Sequence, residues 1–237
     1  MDLALLAWGD QGWGDELFRG TLMTLALAVT AFPLGVLFGS VIGAARLSPY
    51  KPVAGAAEVY TTVIRGIPDL VLLYILFFGG SQLFRWVLQN GFGYEGYVEL
   101  NAFAICVIAF SIINGAYSAE VIRGAIQALP PGELEAARAI GMSRFTVVRR
   151  IMIPQVLRLA LPGLANVWQL LLKEVALASL VGLEDLMRSA RVASGSTREP
   201  FTFYFSTLII FWLIALKSGF WFERAEKWAN KGVRRAA

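Results

Sequence analysis

The feature that most constrains the fold is a long stretch without charge, because no Asp, Glu, Lys or Arg lies between Arg19 and Arg46. A helix needs about 20 mainly apolar residues to cross the hydrocarbon core of a bilayer, which is about 30 Å thick. Four further apolar runs follow, at about residues 59–84, 100–121, 159–183 and 201–222. The sequence therefore predicts an all-α membrane protein with five spans, whose termini lie on opposite sides of the membrane.

The composition agrees with a lipid environment, because 57% of the 237 residues are hydrophobic and only 16% are charged. Soluble domains are nearer half apolar and a quarter charged. The length fits a single transmembrane domain over residues 1–237. The chain has no histidine and one cysteine, Cys106, which excludes disulfide frameworks, Cys/His zinc sites and Ser-His-Asp catalysis. We expect no metal site, no catalytic residue and no nucleic-acid partner. We also expect no cleavable signal peptide, because acids interrupt the first apolar stretch.

The distribution of basic residues predicts the orientation, because inner loops carry an excess of Lys and Arg. With the N-terminus outside, thirteen basic residues between Arg46 and Arg235 lie on the inner side. The outer side then carries five: Arg19, Arg85, Arg188, Arg191 and Arg198. The outer segments also hold nine acids. We therefore predict a periplasmic N-terminus and a cytoplasmic C-terminus.

The segment at about residues 124–155, the inner loop, has the pattern of two short helices. Two prolines and a glycine at residues 130–132 break the preceding helix, and residues 133–140 read as a short Ala-rich helix with acids in its first turn. Gly141 stands where a left-handed C-terminal cap is expected. Ser143 is placed to cap a second short helix, which we expect to end before Pro154.

The same loop reads Glu135-Ala136-Ala137-Arg138-Ala139-Ile140-Gly141, followed after nine residues by Ile151-Met152-Ile153-Pro154. This resembles the cytoplasmic loop motif of ATP-binding-cassette (ABC) importer permeases, with the same spacings and with Ile153 in place of leucine. The resemblance implies the type I importer permease fold, with this loop as a coupling helix that docks into a cleft of the ATP-hydrolysing subunit. It assigns the docking to Glu135, Ala136, Ala137, Arg138, Gly141 and Pro154. Small alanines permit close approach of a partner surface, and glycine permits the tight turn.

Other segments resemble the polar amino acid permeases within that family. They are residues 20–25 (Gly-Thr-Leu-Met-Thr-Leu), residues 65–72 with an Arg-Gly-x-Pro motif, and residues 116–124. The Pro-Asp pair at 68–69 and residues 182–185 and 196–201 are similar to the Q-type membrane subunit of the histidine/lysine-arginine-ornithine permease, with opine (octopine, nopaline) permeases next. The resemblance implies import of polar, basic amino acids. Val175 and Ala176 depart from the pattern, because many relatives carry hydroxyl residues there.

Charged and polar residues inside the spans are the candidates for a substrate path, since an intramembrane charge must face protein or water. Asn166, Gln169 and Lys173 follow each other at helical spacing and form one stripe, whereas Glu174 points about 100° away from Lys173. Arg65 and Asp69 are four residues apart and could pair, although Pro68 perturbs the helix between them. Asp69, Asn166, Gln169, Lys173 and Glu174 either line a substrate path or hold helices and subunits together.

Three classes of function are compatible with a five-span protein. An importer permease has no ATP site of its own, and the sequence contains no G-x-x-x-x-G-K-[ST] loop. It requires an ATPase dimer that uses ATP, a second identical or homologous permease subunit, a periplasmic amino-acid-binding protein and the lipid of the inner membrane. A channel or secondary transporter usually shows internal repeats, and none is seen. A membrane enzyme lacks support, because no acid pair or metal constellation is convincing.

Overall fold

The computed structural model describes residues 2–9, 12–93 and 101–231. Apart from a short 3₁₀ turn at Leu3–Leu6, these residues form helices joined by short connections, with no strand in the described ranges. The helices are α1 (Gly14–Ala45), α2 (Lys51–Gly66), α3 (Asp69–Phe92), α4 (Ala102–Gln127), α5 (Pro131–Ala139), α6 (Arg144–Val181), α7 (Leu186–Thr197) and α8 (Pro200–Ala229).

Five of these helices, α1, α3, α4, α6 and α8, are long and apolar enough to cross a membrane. The predicted number of spans is therefore confirmed, and with it the all-α membrane class. The predicted third span began at Leu100, which lies outside the described residues. α8 is long but adds little to the core of this subunit. Large apolar side chains on it, such as Trp212, Phe220 and Trp221, are exposed. Lipid or another subunit has to cover them.

The second span differs from the prediction, which placed one helix over residues 59–84. The helix is interrupted at Ile67 and Pro68, whose backbones are extended (ψ 140° and 133°). Proline disfavours the helical conformation in the residue before it, and it has no N–H to donate to the preceding turn. Arg65 therefore closes α2, whereas Asp69 opens α3, and only α3 spans the membrane.

The predicted end of the second inner-loop helix before Pro154 is also wrong. Ser143 caps the helix as expected, with its hydroxyl accepting a hydrogen bond from the N–H of Thr146 at 3.3 Å. The helix then runs through Pro154 into the fourth span, by way of a π-helical turn at Val148–Met152. The wider turn shifts the hydrogen-bond register, so that Ile153 donates to Val148 and the missing N–H of the proline is accommodated.

The tightest packing lies between α1 and α4, where glycines of α1 face small residues of α4. A Cβ at Gly35 would lie 2.5 Å from the amide oxygen of Asn114, and one at Gly39 or Gly43 would lie 2.6 Å from a backbone carbonyl of α4. Helices in lipid associate through such small residues, because apolar side chains gain little by leaving lipid for protein. The glycines thus fix the contact that positions both helices.

An aromatic cluster joins three spans around α6. The ring of Trp168 lies 5.2 Å from that of Phe32 in α1 and 6.4 Å from that of Phe222 in α8. The indole is 8% exposed and the rings meet edge-on or tilted, which is the favourable arrangement for aromatic pairs. This cluster sets the rotation of α6 and so decides which helix each of its polar residues faces.

Candidate functional site

The inner loop forms a compact unit of two helices that meet at Gly141. Gly141 has φ of +80°, as predicted for a left-handed cap. The turn is closed by hydrogen bonds from the N–H of Gly141 to Arg138 and from the N–H of Met142 to Ala137, at 3.0 and 3.1 Å. A hydrogen bond from Gln155 to Glu133 joins the two helices on the other side of the turn. The loop is therefore a defined surface rather than a solvated connection.

The predicted docking residues divide into exposed and buried ones. Glu135, Ala136, Arg138, Gly141 and Pro154 are exposed. Ala137 is only 4% exposed and its methyl group packs inside this subunit, whereas its part in docking stays a prediction.

Two apolar side chains of the loop had not been singled out from the sequence. Ile140 is 79% exposed and Phe145 is 73% exposed. The sequence could have indicated their exposure, because each is an apolar residue in a segment rich in charged residues, one before Gly141 and one after it. Ile140, Ala136 and Pro154 line a groove of about 530 Å³ on the loop.

The polar stripe on α6 faces α8 and the outside of the subunit. The amide nitrogen of Gln169 donates to the carbonyl of Ala215 at 3.2 Å, and it lies 3.4 Å from the hydroxyl of Ser218. Gln169 therefore ties α6 to α8. Asn166 and Lys173 are exposed on this chain, and Lys173 forms no ion pair with any residue in the described ranges.

Glu174 lies on a different face of α6, as its helical phase predicts, and it meets Asp69 of α3. The two carboxyl groups are close enough to interact electrostatically. Glu174 is 9% exposed, and one oxygen of Asp69 is buried without a hydrogen-bond partner among the described residues. Two carboxylates at this separation repel each other unless a proton or a cation lies between them. The pair is thus arranged to accept a positive group.

Arg65 does not pair with Asp69, which corrects the pairing considered from their spacing. Its guanidinium lies 3.5 Å from the carboxylate of Glu120 in α4, and 5.7 Å from the centre of the Tyr117 ring. The interruption at Pro68 removes the helical register that would have placed Arg65 beside Asp69. Glu120 and Tyr117 were visible in the sequence only as part of the 116–124 segment.

Glu120 is the centre of a charged network at one end of α1, α2 and α4. Its carboxylate accepts a hydrogen bond from Arg46, the C-cap of α1, and two from Arg123 at 2.9 and 3.1 Å. Arg46 also lies 3.5 Å from Glu58 of α2. The Glu120 side chain is 19% exposed, so these pairs are screened less than surface pairs and hold the three helix ends together.

Asp185 is a buried acid just beyond the C-terminal end of α6, whereas the inner loop lies at the N-terminal end of that helix. One oxygen accepts a hydrogen bond from the N–H of Arg188 at 2.8 Å and caps α7, and the other is buried without a partner among residues of the described ranges. Burial raises the pKa of Asp185 to about 6, against the opposing effect of the Arg188 N–H. The sequence indicated residues 182–185 only through their resemblance to relatives.

The chain is similar to known proteins over nearly its whole length. A family described as binding-protein-dependent transport system inner membrane component matches residues 20–230. The nopaline transport system permease protein of Agrobacterium fabrum is 50% identical over 234 residues, which cover 99% of each chain. The histidine/lysine/arginine/ornithine transport system permease protein of Escherichia coli is 38% identical over 95% of this chain and 98% of its own. A solved amino acid ABC transporter with histidines has a TM-score of 0.75 at 34% identity, covering 91% of this chain and 94% of that one.

Proposed function

Since the chain belongs to the family of binding-protein-dependent transport system inner membrane components, it is an integral membrane subunit of an ABC importer, and we propose that it translocates polar amino acids with basic side chains. Histidine, arginine, lysine and ornithine are the substrates in the name of the Escherichia coli relative. The family gives the chain a transport role, and the ATP is hydrolysed by a separate partner chain. The N-terminus is periplasmic and the C-terminus cytoplasmic in this proposal.

The observation that carries the substrate class is the carboxyl pair of Asp69 and Glu174. A cationic side chain entering a low-dielectric path needs a counter-charge, because an unpaired ammonium or guanidinium is strongly disfavoured there. The pair brings together two acids from two spans, of which Glu174 is buried and Asp69 is partly buried. Asp69 has no cationic partner within the described part of the chain, which supports a role toward a cation from outside.

The inner loop supports the proposed partnership with an ATPase dimer. Glu135 and Arg138 offer exposed charges, and Ile140 offers an exposed apolar group next to a rigid turn. A second permease subunit, identical or homologous, would cover the exposed apolar faces of α3 and α8 together with lipid. A periplasmic binding protein would deliver the amino acid. Copurification of the ATPase with the tagged chain tests this assembly, and a chain that transports without it would be a channel or a secondary transporter.

Import of an opine is a second candidate, favoured by the 50% identity to the nopaline permease protein. The two candidates are separated by measuring thermal stabilisation of the assembled complex, with its binding protein, across a panel of basic amino acids and opines. Stabilisation by nopaline or octopine alone would replace basic amino acids as the proposed cargo.

The role of the carboxyl pair is tested by ATP-dependent uptake into vesicles that contain the whole complex. The readout is the ratio of arginine to histidine uptake at pH 8, where the histidine side chain is neutral. We expect Asp69→Asn and Glu174→Gln each to lower this ratio about fivefold or more. Glu58→Gln is the matched control, because its carboxylate is 64% exposed and belongs to α2. An unchanged ratio in both variants would assign the pair to structure.

A further inference from the structure

Three arginines from three helices converge on the carboxylate of Glu120, but they do not depend on it equally. Arg46 has a second carboxylate at 3.5 Å, that of Glu58. Arg123 has a second acceptor, the amide oxygen of Gln127 at 2.8 Å. Arg65 has no ion pair with any other acid among the described residues, and its guanidinium also lies over the ring of Tyr117. Of the three arginines, only Arg65 therefore has no acceptor other than Glu120, in the described part of the chain, to hold its guanidinium.

Arg65 is also the nearest arginine along the chain to the carboxyl pair. Only three residues separate it from Asp69, and two of these, Ile67 and Pro68, form the extended link between α2 and α3. The hydroxyl of Tyr117 lies within electrostatic range of Arg65, Asp69 and Glu174 together. Arg65 is thus held against Glu120 and the Tyr117 ring, and no ion pair joins it to Asp69 or Glu174 within the described residues.

We infer that Glu120 is a specificity-determining positioning residue, which holds Arg65 away from Asp69 and so keeps the Asp69–Glu174 pair free for the cationic end of the substrate. The inference rests on the proposed role of that pair. Glu120 does not touch the substrate. Its effect arises because a long, flexible arginine takes the best available carboxylate, and Glu120 with two other arginines around it is already fixed in place.

The consequence of removing the Glu120 charge follows from the alternative partners. Arg46 and Arg123 keep Glu58 and Gln127, whereas Arg65 loses its only acid and turns to Asp69. The carboxyl pair then carries an internal cation, and a basic substrate has to displace it. A substrate with a neutral side chain is affected much less.

The test uses the same vesicle assay and the same ratio of arginine to neutral histidine uptake. We expect Glu120→Gln to lower the ratio about fivefold or more. Adding Arg65→Gln to Glu120→Gln should restore it, because the competing guanidinium is gone. Arg65→Gln alone should leave the ratio at or above its original value. Glu58→Gln is the control, since it removes a carboxylate from the same network without releasing Arg65.

The outcomes separate this inference from the proposed function. A ratio that falls in Asp69→Asn but stays unchanged in Glu120→Gln overturns the inference and leaves the substrate pair in place. A ratio that is unchanged in both Asp69→Asn and Glu174→Gln rejects the proposed role of the carboxyl pair in binding the cationic substrate. A double variant as impaired as Glu120→Gln, or a fall in Arg65→Gln alone, also overturns the inference. The Arg65→Gln measurement keeps it testable if Glu120→Gln does not assemble.

Discussion

Replacing Gly141 by alanine should weaken the attachment of the ATPase through backbone conformation alone. A Cβ at this position meets no atom within 4 Å, so no side-chain clash arises. The residue has φ of +80°, however, and a non-glycine residue pays about 1–2 kcal/mol for the left-handed region. That free energy corresponds to about a fivefold to thirtyfold loss of the docking-competent turn.

The assay is the apparent affinity of the ATPase subunit for the permease in lipid nanodiscs, with ATP hydrolysis and substrate uptake measured in parallel. Gly141→Ala should lower the affinity by about that factor while the protein level in the membrane stays normal. Gly132→Ala is the matched control, because it makes the same chemical change in the same loop, also with open space around the Cβ, but without a positive φ. Gly141→Asn should be milder, since asparagine tolerates this conformation.

The reasoning would be refuted by equal losses in Gly132→Ala and Gly141→Ala, since the loop would then respond to any added methyl group. It would also be refuted by unchanged affinity in Gly141→Ala, which would mean that this turn is not part of the docking surface.

Three further predictions concern other parts of the chain. Glu135→Arg should reduce uptake per ATP hydrolysed about tenfold or more at a normal membrane level, because it reverses the sign of the exposed charge that we expect to pair in the cleft of the ATPase; undiminished uptake would exclude Glu135 from docking. A reporter fused after Ala237, outside the described residues, should be cytoplasmic, and one inserted between α7 and α8 should be periplasmic; two reporters on the same side would contradict the five-span orientation. Asp185 has a pKa raised from 3.8 to about 6, so the folded protein binds more protons than the unfolded one between these values, and the stability contributed by this group falls as pH rises from about 4 to about 6. Asp185→Asn should remove this pH dependence, which amounts to about 1.4 kcal/mol between pH 5 and pH 7.5 because pH 5 lies about one unit below the folded pKa, in thermal unfolding of the purified subunit at these two pH values, and an identical pH difference in both proteins would contradict it.

The five spans were predictable because each is a long apolar run, a signal that depends on composition rather than on tertiary contacts. The cap at Gly141 and the N-cap at Ser143 were predictable for a similar reason, since both are local. The two errors in helix boundaries concern prolines. Pro68 interrupts a helix, whereas Pro154 does not. The π-helical turn at Val148–Met152 accommodates Pro154, and no short sequence pattern predicts such a turn.

The candidate site was predictable in its residues but not in its pairs. Helical phase correctly separated Glu174 from Lys173, because both lie on one helix. Phase could not say that Glu174 faces Asp69, or that Arg65 turns to Glu120, because those neighbours come from other helices. They are fixed by how closely α1 and α4 approach and by the rotation that the Trp168 cluster gives to α6.

The glycine contact between α1 and α4 has a mechanical consequence. Because Gly39 and Gly43 of α1 approach backbone carbonyls of α4, no change of side-chain rotamer at these two positions can let the helices slide past each other. Helices α1 and α4 therefore keep one relative position and form a rigid unit within the subunit. Any relative movement of the spans during transport is therefore expected elsewhere than between α1 and α4. The spans with the least packing inside this chain are α3 and α8, because only 11% and 6% of the residues in their most apolar stretches are buried in it.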